Sequence, residues 1–181
     1  SYSGCGNDFK TERRMARKLI VDSIIYWMRE YHIDGFRLDL AAMLDWETID
    51  LIRKEALKVN PNVILIAEPW GGGEYEPARF SDHEYAAWND LFRNGVKGQN
   101  PFDGHGFIFG AWQGSNSSAS VQSYFQGTTK RHGGIFNKIE HSLNYLESHD
   151  DHTLGDFIRL GLELLDEDEV CLLYTSDAAD E

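Results

Sequence analysis

The stretch YHIDGFRLDLA, from Tyr31 to Ala41, decides how the chain is read. Phe36, Leu38 and Leu40 alternate along it, the period of a strand with one apolar face. Arg37 and Asp39 fall on the other parity, so a cation and an anion share the second face. Upstream, Met15, Leu19, Ile20, Ser23, Ile24, Trp27 and Met28 follow a helical rhythm, which predicts a helix over 12–30 with these residues on its buried face. Downstream, Ile49, Ile52, Ala56 and Leu57 mark a second helix from about Trp46 to Val59, ended by Asn60 and Pro61. The near-continuous apolar run Val63 to Ala67 then predicts a parallel strand buried on both faces, with Glu68 at its end.

The first seventy residues therefore read helix, strand, helix, strand. Asp39 and Glu68 lie 29 residues apart, about the length of one strand–helix–strand unit. Acidic residues at the C-terminal ends of successive parallel strands stand where an α/β barrel keeps its chemistry. Beyond Glu68, PWGGGEYEPARFSDHEY is rich in Gly, Pro and aromatic residues and reads as a long loop. YAAWND is a short-strand candidate. LFRNGVKGQN and SASVQSYFQG are helix candidates, with a Gly- and aromatic-rich loop, 104–114, between them. SLNYLESHDD, Ser142 to Asp151, reads as a further strand closing on Asp150, and DFIRLGLELLDEDE as the next helix, its acidic end a solvated face.

Composition bounds the function. The chain has 181 residues, 41% of them hydrophobic and 13% aromatic, enough for one globular domain. Thirty acidic residues against 17 basic ones give a formal charge of -13, which argues against nucleic acid and anionic membrane as partners. No run approaches the ~18 apolar residues of a membrane span. Cys5 and Cys171 do not form a disulfide framework or a zinc-type CxxC pair. The chain begins at Ser1 without a Met and reads as an internal piece, which leaves localisation open, cytoplasmic or secreted.

Three acidic residues, Asp39, Glu68 and Asp150, each follow an apolar run. Breaking a glycosidic bond with retention needs two carboxyl groups about 5–5.5 Å apart, one a nucleophile and the other an acid and then a base. The two roles need opposite protonation states and hence different surroundings. Arg37 beside Asp39 favours an ionised carboxylate, which suits a nucleophile. Glu68, after VILIA and before Pro69 and Trp70, is expected in apolar surroundings that favour the protonated form, which suits a general acid.

The motifs GFRLD, IAEPW and ESHD, in that order and spacing, resemble the α-amylase family of glycoside hydrolases. The likeness extends to about Leu165 and is nearest to the pullulanase/isoamylase debranching branch, on GCGND, RKLIVDSIIYWMREYHIDGFRLDL, AAWNDLFRNGVKG and NYLESHDDHTL. The resemblance implies an α/β fold, a partial (β/α)8 TIM barrel of about strands four to seven with flanking helices. It implies Asp39 as nucleophile, Glu68 as acid/base and Asp150 as a third carboxylate that binds sugar hydroxyls. Arg37 would orient Asp39, and His149 would hydrogen-bond the sugar. The substrate implied is an α-glucan polysaccharide or oligosaccharide, cut at α-1,6 branch linkages in pullulan, glycogen or starch. An α-1,4-acting amylase or a glucanotransferase of the same clan is the alternative, as is a carbohydrate-binding fragment without catalysis. The family's Asn-His motif of the third strand is missing, and Asp151 stands where relatives often carry Asn, which bears on fine substrate preference.

An isolated RLD is more often a structural ion pair; with Glu68 and His149–Asp150 in order, the catalytic reading prevails. His149, Asp150 and His152 lack a distant partner set for zinc, so no metal site is expected and no cofactor is indicated, calcium being left open. Gly71 to Gly73 lacks the Lys-Ser/Thr of a phosphate loop and is read as a flexible loop. Among Trp70, Tyr75, Trp88, Phe109 and Trp112, Trp70 is the best candidate for glucan contact; Trp27 and Phe36 are assigned to packing. Residues 1–165 are expected to form the partial barrel. Residues 166–181 are expected to be a helix end and a non-native tail, with VCLLYTSDAADE resembling translated sequencing-adapter read-through. About half a barrel leaves strand edges open, so the chain alone is expected to be inactive and aggregation-prone.

Overall fold

A computed structural model describes residues 6–110 and 117–163. Cys5, Trp112, Cys171, the first residues of GCGND, the end of DFIRLGLELLDEDE and the whole of 166–181 lie outside the described residues. The elements are α1 (Arg14–Tyr31), β1 (Gly35–Leu38), α2 (Trp46–Val59), β2 (Ile64–Ala67), β3 (Trp70–Gly71), β4 (Glu74–Tyr75), α3 (Pro77–Asp82), β5 (Ala86–Trp88), α4 (Asp90–Val96), β6 (Gly98–Asn100), β7 (Gly104–His105), α5 (Ser118–Phe125), β8 (Ser142–Leu143) and α6 (Leu154–Gly161). They fall into two compact units, one running to Trp88 and including Ile135–Leu143, the other Asn89–Gly134 with the residues from Asn144 on.

The first unit holds a four-stranded parallel sheet in the order β1-β2-β5-β8, with helices packed against it. The parallel order is the one the helix–strand alternation predicts, and it fits the partial (β/α)8 barrel that the resemblance implies. In-register pairing runs from Gly35 with Ile64 to Leu38 with Ala67, so β1 and β2 end level with each other. The core gathers Val21, Ile24 and Met28 of α1, Ile49, Ile52 and Ala56 of α2, Leu65 and Ala67 of β2, and Phe80, Tyr85, Ala87 and Phe136. Each full burial of such a side chain stabilises by about 1.5–3 kcal/mol. Tyr85, fully enclosed, donates its hydroxyl to the Ile49 carbonyl at 2.8 Å, and burial pushes its phenol above the usual range. Helix α2 starts at the Asp45 cap, whose carboxylate accepts from the Thr48 N–H at 3.1 Å and from Arg17 at 2.8 Å.

Several expectations are corrected. The buried stripe of α1 is Val21, Ile24 and Met28, whereas Met15, Leu19 and Trp27 are exposed. Trp27 packs with Tyr26 and Tyr31 on the helix surface instead. β2 is not buried on both faces: Ile64 is 58% exposed, because only its alternate residues, Leu65 and Ala67, reach the core. The stretch after Glu68 is not a plain loop. It forms the β3–β4 hairpin and then α3, which begins on Pro77, a residue suited to a first helical turn. The strand expected over Ser142–Asp151 is only Ser142–Leu143. Beyond it the side chains of Asn144 and Tyr145 bond Asn89, Arg93 and Asp90, which draws the chain out of the ladder.

The second unit holds α4, α5, α6 and the β6–β7 hairpin. Gly98 opens that hairpin at φ +114°, where a Cβ would stand 2.1 Å from the Gly104 carbonyl oxygen, so only glycine fits. Phe109, half-buried, stacks on His105 and packs on Phe157 of α6.

In the first unit Ser81, wholly buried, takes the Asn137 N–H on its hydroxyl oxygen and pairs with His141 Nδ1 at 2.9 Å. Burial lowers the His141 pKa below its ordinary value, with Glu84 pulling the other way. A histidine buried neutral contributes stability that is present above its unfolded pKa and lost as pH falls through the folded one. The urea midpoint is therefore expected to fall from pH 7 to pH 5, and His141→Gln is expected to flatten that dependence. Equal slopes for the two proteins would contradict the assignment.

Candidate active site

The pairing of β1 with β2 sets the site. Asp39 follows β1 directly and Glu68 follows β2 directly, at the C-terminal ends of adjacent parallel strands. The backbone continues to knit them past the strands. Glu68 N–H donates to the Leu38 carbonyl at 3.0 Å, and the Ala41 N–H donates to the Glu68 carbonyl at 2.9 Å.

Arg37 lies between the two carboxylates. Its Nη1 donates to Asp39 Oδ1 at 2.7 Å and its Nη2 to Glu68 Oε1 at 2.9 Å. The guanidinium carbon lies over the Trp88 ring, 4.7 Å from its centre. One planar group thus fixes the spacing of both carboxylates. The two differ in access: the Asp39 side chain is 70% exposed and that of Glu68 only 4%. Asp39 opens on a cavity of about 250 Å³ lined also by Asn7, Phe9, Met43 and Leu44.

Leu40 takes φ 41°, ψ 47°, a left-handed conformation that costs a non-glycine residue of order 1 kcal/mol or more. This twist brings the Leu40 N–H onto Glu68 Oε2 at 2.5 Å. The surroundings of Glu68 are therefore not apolar at the carboxylate itself, as expected from VILIA and Pro69. It is buried, but both its oxygens accept from donors, one a cation. To carry a proton, Glu68 must first loosen its bond to Arg37.

Trp70 is half-buried at the start of the β3–β4 hairpin, edge-on to Trp88 at 5.7 Å and stacked with Tyr75 at 6.5 Å. The chain passes close beneath the hairpin: a Cβ on Gly71, at φ +140°, would lie 2.7 Å from Met43. The unit containing Asp39 thus brings together Arg37, Asp39, Glu68 and Trp70.

His149 and Asp150 belong to the other unit. Asp150 does not close a strand; it lies seven residues beyond Leu143, in a bend, with both side chains of the pair mostly exposed. His149 Nε2 stands 3.5 Å from Asp150 Oδ2, and the Asp150 N–H donates to Ser148 Oγ at 3.2 Å. Among the described residues no group of three or more His, Cys, Asp or Glu side chains is arranged to hold a metal ion. No helix is long and apolar enough to cross a membrane, again among the described residues.

Sequence reasoning missed the bond from Leu40 to Glu68, since a left-handed leucine has no sequence signal. It also missed Arg37 as a bridge to Glu68, since the pairing register is needed to see that they meet. A larger hollow of about 540 Å³ lies between α1 and α2; of the charges on its wall Arg17 is bonded to Asp45, Lys18 to Asp22 and Glu55 to Lys58.

No family model matches the chain. Comparison with curated proteins finds pullulanase of Bacillus subtilis (strain 168), 36% identical over an aligned length of 177, which covers 88% of this chain and 23% of that protein. Chloroplastic isoamylase SU1 of Zea mays is 30% identical over 87% of this chain and 22% of its own length. Among solved structures, type I pullulanase of Bacillus subtilis str. 168 complexed with maltose gives a TM-score of 0.82 at 32% identity, over 96% of this chain and 26% of that one. Pullulanase of Paenibacillus barengoltzii, in complex with maltohexaose and α-cyclodextrin, gives 0.80 at 32% identity, over 94% and 28%. The chain spans about a quarter of the length of the relatives it matches.

The shared guanidinium makes a double-mutant cycle decisive. Arg37→Met leaves a buried carboxylate without its cation and is expected to destabilise by about 3 kcal/mol or more. Adding Glu68→Gln removes the orphaned charge and is expected to recover much of that loss, measured by denaturant unfolding. Additive effects of the two changes would refute the bridge.

Proposed function

Because this chain is homologous over most of its length to the pullulanase and isoamylase debranching enzymes of the α-amylase family, we propose that it forms part of the catalytic barrel of a retaining α-glucan hydrolase. The bonds attacked are α-1,6-glucosidic branch linkages, as in pullulan, glycogen or starch. The observation that carries this reading is the pair of carboxylates at adjacent strand ends held by one arginine.

In this reading the Asp39 carboxylate attacks the anomeric carbon and forms a covalent glucosyl ester. Its exposure and its bond to Arg37 suit a nucleophile that is accessible and held in one orientation. Glu68 delivers a proton to the departing glycosidic oxygen. It then takes one from the water that releases the sugar, restoring both groups. Arg37 is a positioning residue: it holds Asp39 in line and passes from two carboxylates to one when Glu68 is protonated. Trp70 offers an aromatic face to the glucan. Asp150 is assigned the third carboxylate's role and His149 a hydrogen bond to the sugar; both assignments rest on their place in ESHD. The scheme runs on carboxyl groups and calls on no cofactor.

The test is pullulan hydrolysis by the full-length protein. Asp39→Asn is expected to lower kcat by about 10⁴-fold or more while leaving glucan binding in place. Surviving turnover would overturn the nucleophile assignment. The unmodified protein is expected to release reducing ends from pullulan faster than from linear amylose, and the reverse order would overturn the branch-linkage assignment.

A further inference from the structure

Lys97, at the C-terminal end of α4, is only 4% exposed. Burying an ammonium group is costly unless it finds partners. Its Nζ lies over the Phe157 ring at 4.7 Å. That π face and the carbonyl end of α4 offset part of the charge. Among the described residues no carboxylate comes within ion-pair distance of Nζ, and no buried side-chain nitrogen is left without a partner, so Nζ itself reaches open space beside the ring. Burial and the nearby Arg93 lower the Lys97 pKa, while Asp151 and Glu147 act through space in the opposite sense.

The ammonium group faces a cavity of about 210 Å³ within the second unit. Its wall carries Asn100, Asp151, His152 and, at the tip of the β6–β7 hairpin, Phe102. Phe102 is 70% exposed, an aromatic face with nothing to hold it there but its backbone N–H bond to Asn100 Oδ1 at 2.8 Å. Donors, an acceptor carboxylate and an open aromatic ring around a small hollow match the surface of a pyranose, apolar on its face and hydroxylated at its rim. Arg93 also lines the wall, but its charge is paired with Asp90 at 3.0 Å, and the Asp151 carboxylate offsets that of Lys97, which disfavours an anion in the same place.

We propose that this cavity is a glucosyl-binding subsite in which Lys97 and Asp151 bond sugar hydroxyls and Phe102 stacks on the ring. The inference rests on the glucan reading above and adds a site to it.

Calorimetric titration of maltotriose into the full-length Asp39→Asn protein tests it. Lys97→Met and Phe102→Ala, each made in that background, are expected to weaken or remove one class of maltotriose sites by roughly tenfold. Phe102 lies on the surface, so its variant folds regardless of what Lys97 does for the core. Isotherms unchanged by both substitutions would overturn the proposal. So would stabilisation by inorganic phosphate, but not by maltotriose, that depends on Lys97, since this would mark an anion site. Continued pullulan hydrolysis by Asp39→Asn would instead strike the proposed nucleophile and leave the subsite to be judged on the isotherms alone.

Discussion

A guanidinium can give two parallel hydrogen bonds from its terminal nitrogens, and Arg37 spends them on two different carboxylates. Glu68 is nearly inaccessible to water, and a carboxylate so placed is stable only with donors on its oxygens. Arg37 supplies one donor and the Leu40 N–H the other. The local structure follows from that need. β1 and β2 must end in register so that Arg37 reaches across. Leu40 must adopt its left-handed turn to present its N–H, and Trp88 must lie under the guanidinium. The exposed Asp39 then comes at no further cost in burial, since water solvates what Arg37 does not.

Local periodicity was enough to read the βαβ core. Helix α2 matches its expected limits because its apolar spacing, the Asp45 cap and the Asn60–Pro61 stop all agree. Arg37 and Asp39 share a face as their parity requires. Periodicity failed where elements are two residues long: β3, β4 and β8 carry no repeat to detect. It also misjudged α1, whose apolar residues encircle more of the helix than the core covers, so Met15, Leu19 and Trp27 remain outside. Asp150 was placed at a strand end because SLNYL is apolar enough for a strand, yet Asn144 and Tyr145 have polar partners elsewhere. Lys97 gave no signal of a site: it lies in LFRNGVKGQN, which reads as a helix candidate, and only the burial of its side chain sets it apart.

The two units solve the same problem differently. In the first, the buried charge of Glu68 is answered from within, by a cation thirty-one positions earlier in the chain and brought close by strand pairing. Also in the first, Ser81, His141 and Asn137 satisfy one another away from solvent without any net charge. In the second, among the described residues, Lys97 is answered by a ring, a helix end and the more distant charges of Asp151 and Glu147, with no direct ion pair. Full satisfaction marks a group that holds structure together, and partial satisfaction marks one with capacity left for something that arrives.

The β1–α2–β2 segment has a consequence for descent. Between Gly35 and Glu68 it carries the nucleophile candidate, the acid candidate, the arginine that joins them and the leucine turn that seats the acid. The three contacts among them, Arg37 with Asp39, Arg37 with Glu68 and the Leu40 N–H with Glu68, lie wholly within the segment, and Trp88 is the one support drawn from another strand. Such a segment is a transferable cassette: duplication or recombination that moved these few dozen residues into another parallel sheet would carry an assembled charge cluster with it. Selection on the surrounding loops could then change what is bound without having to rebuild what reacts.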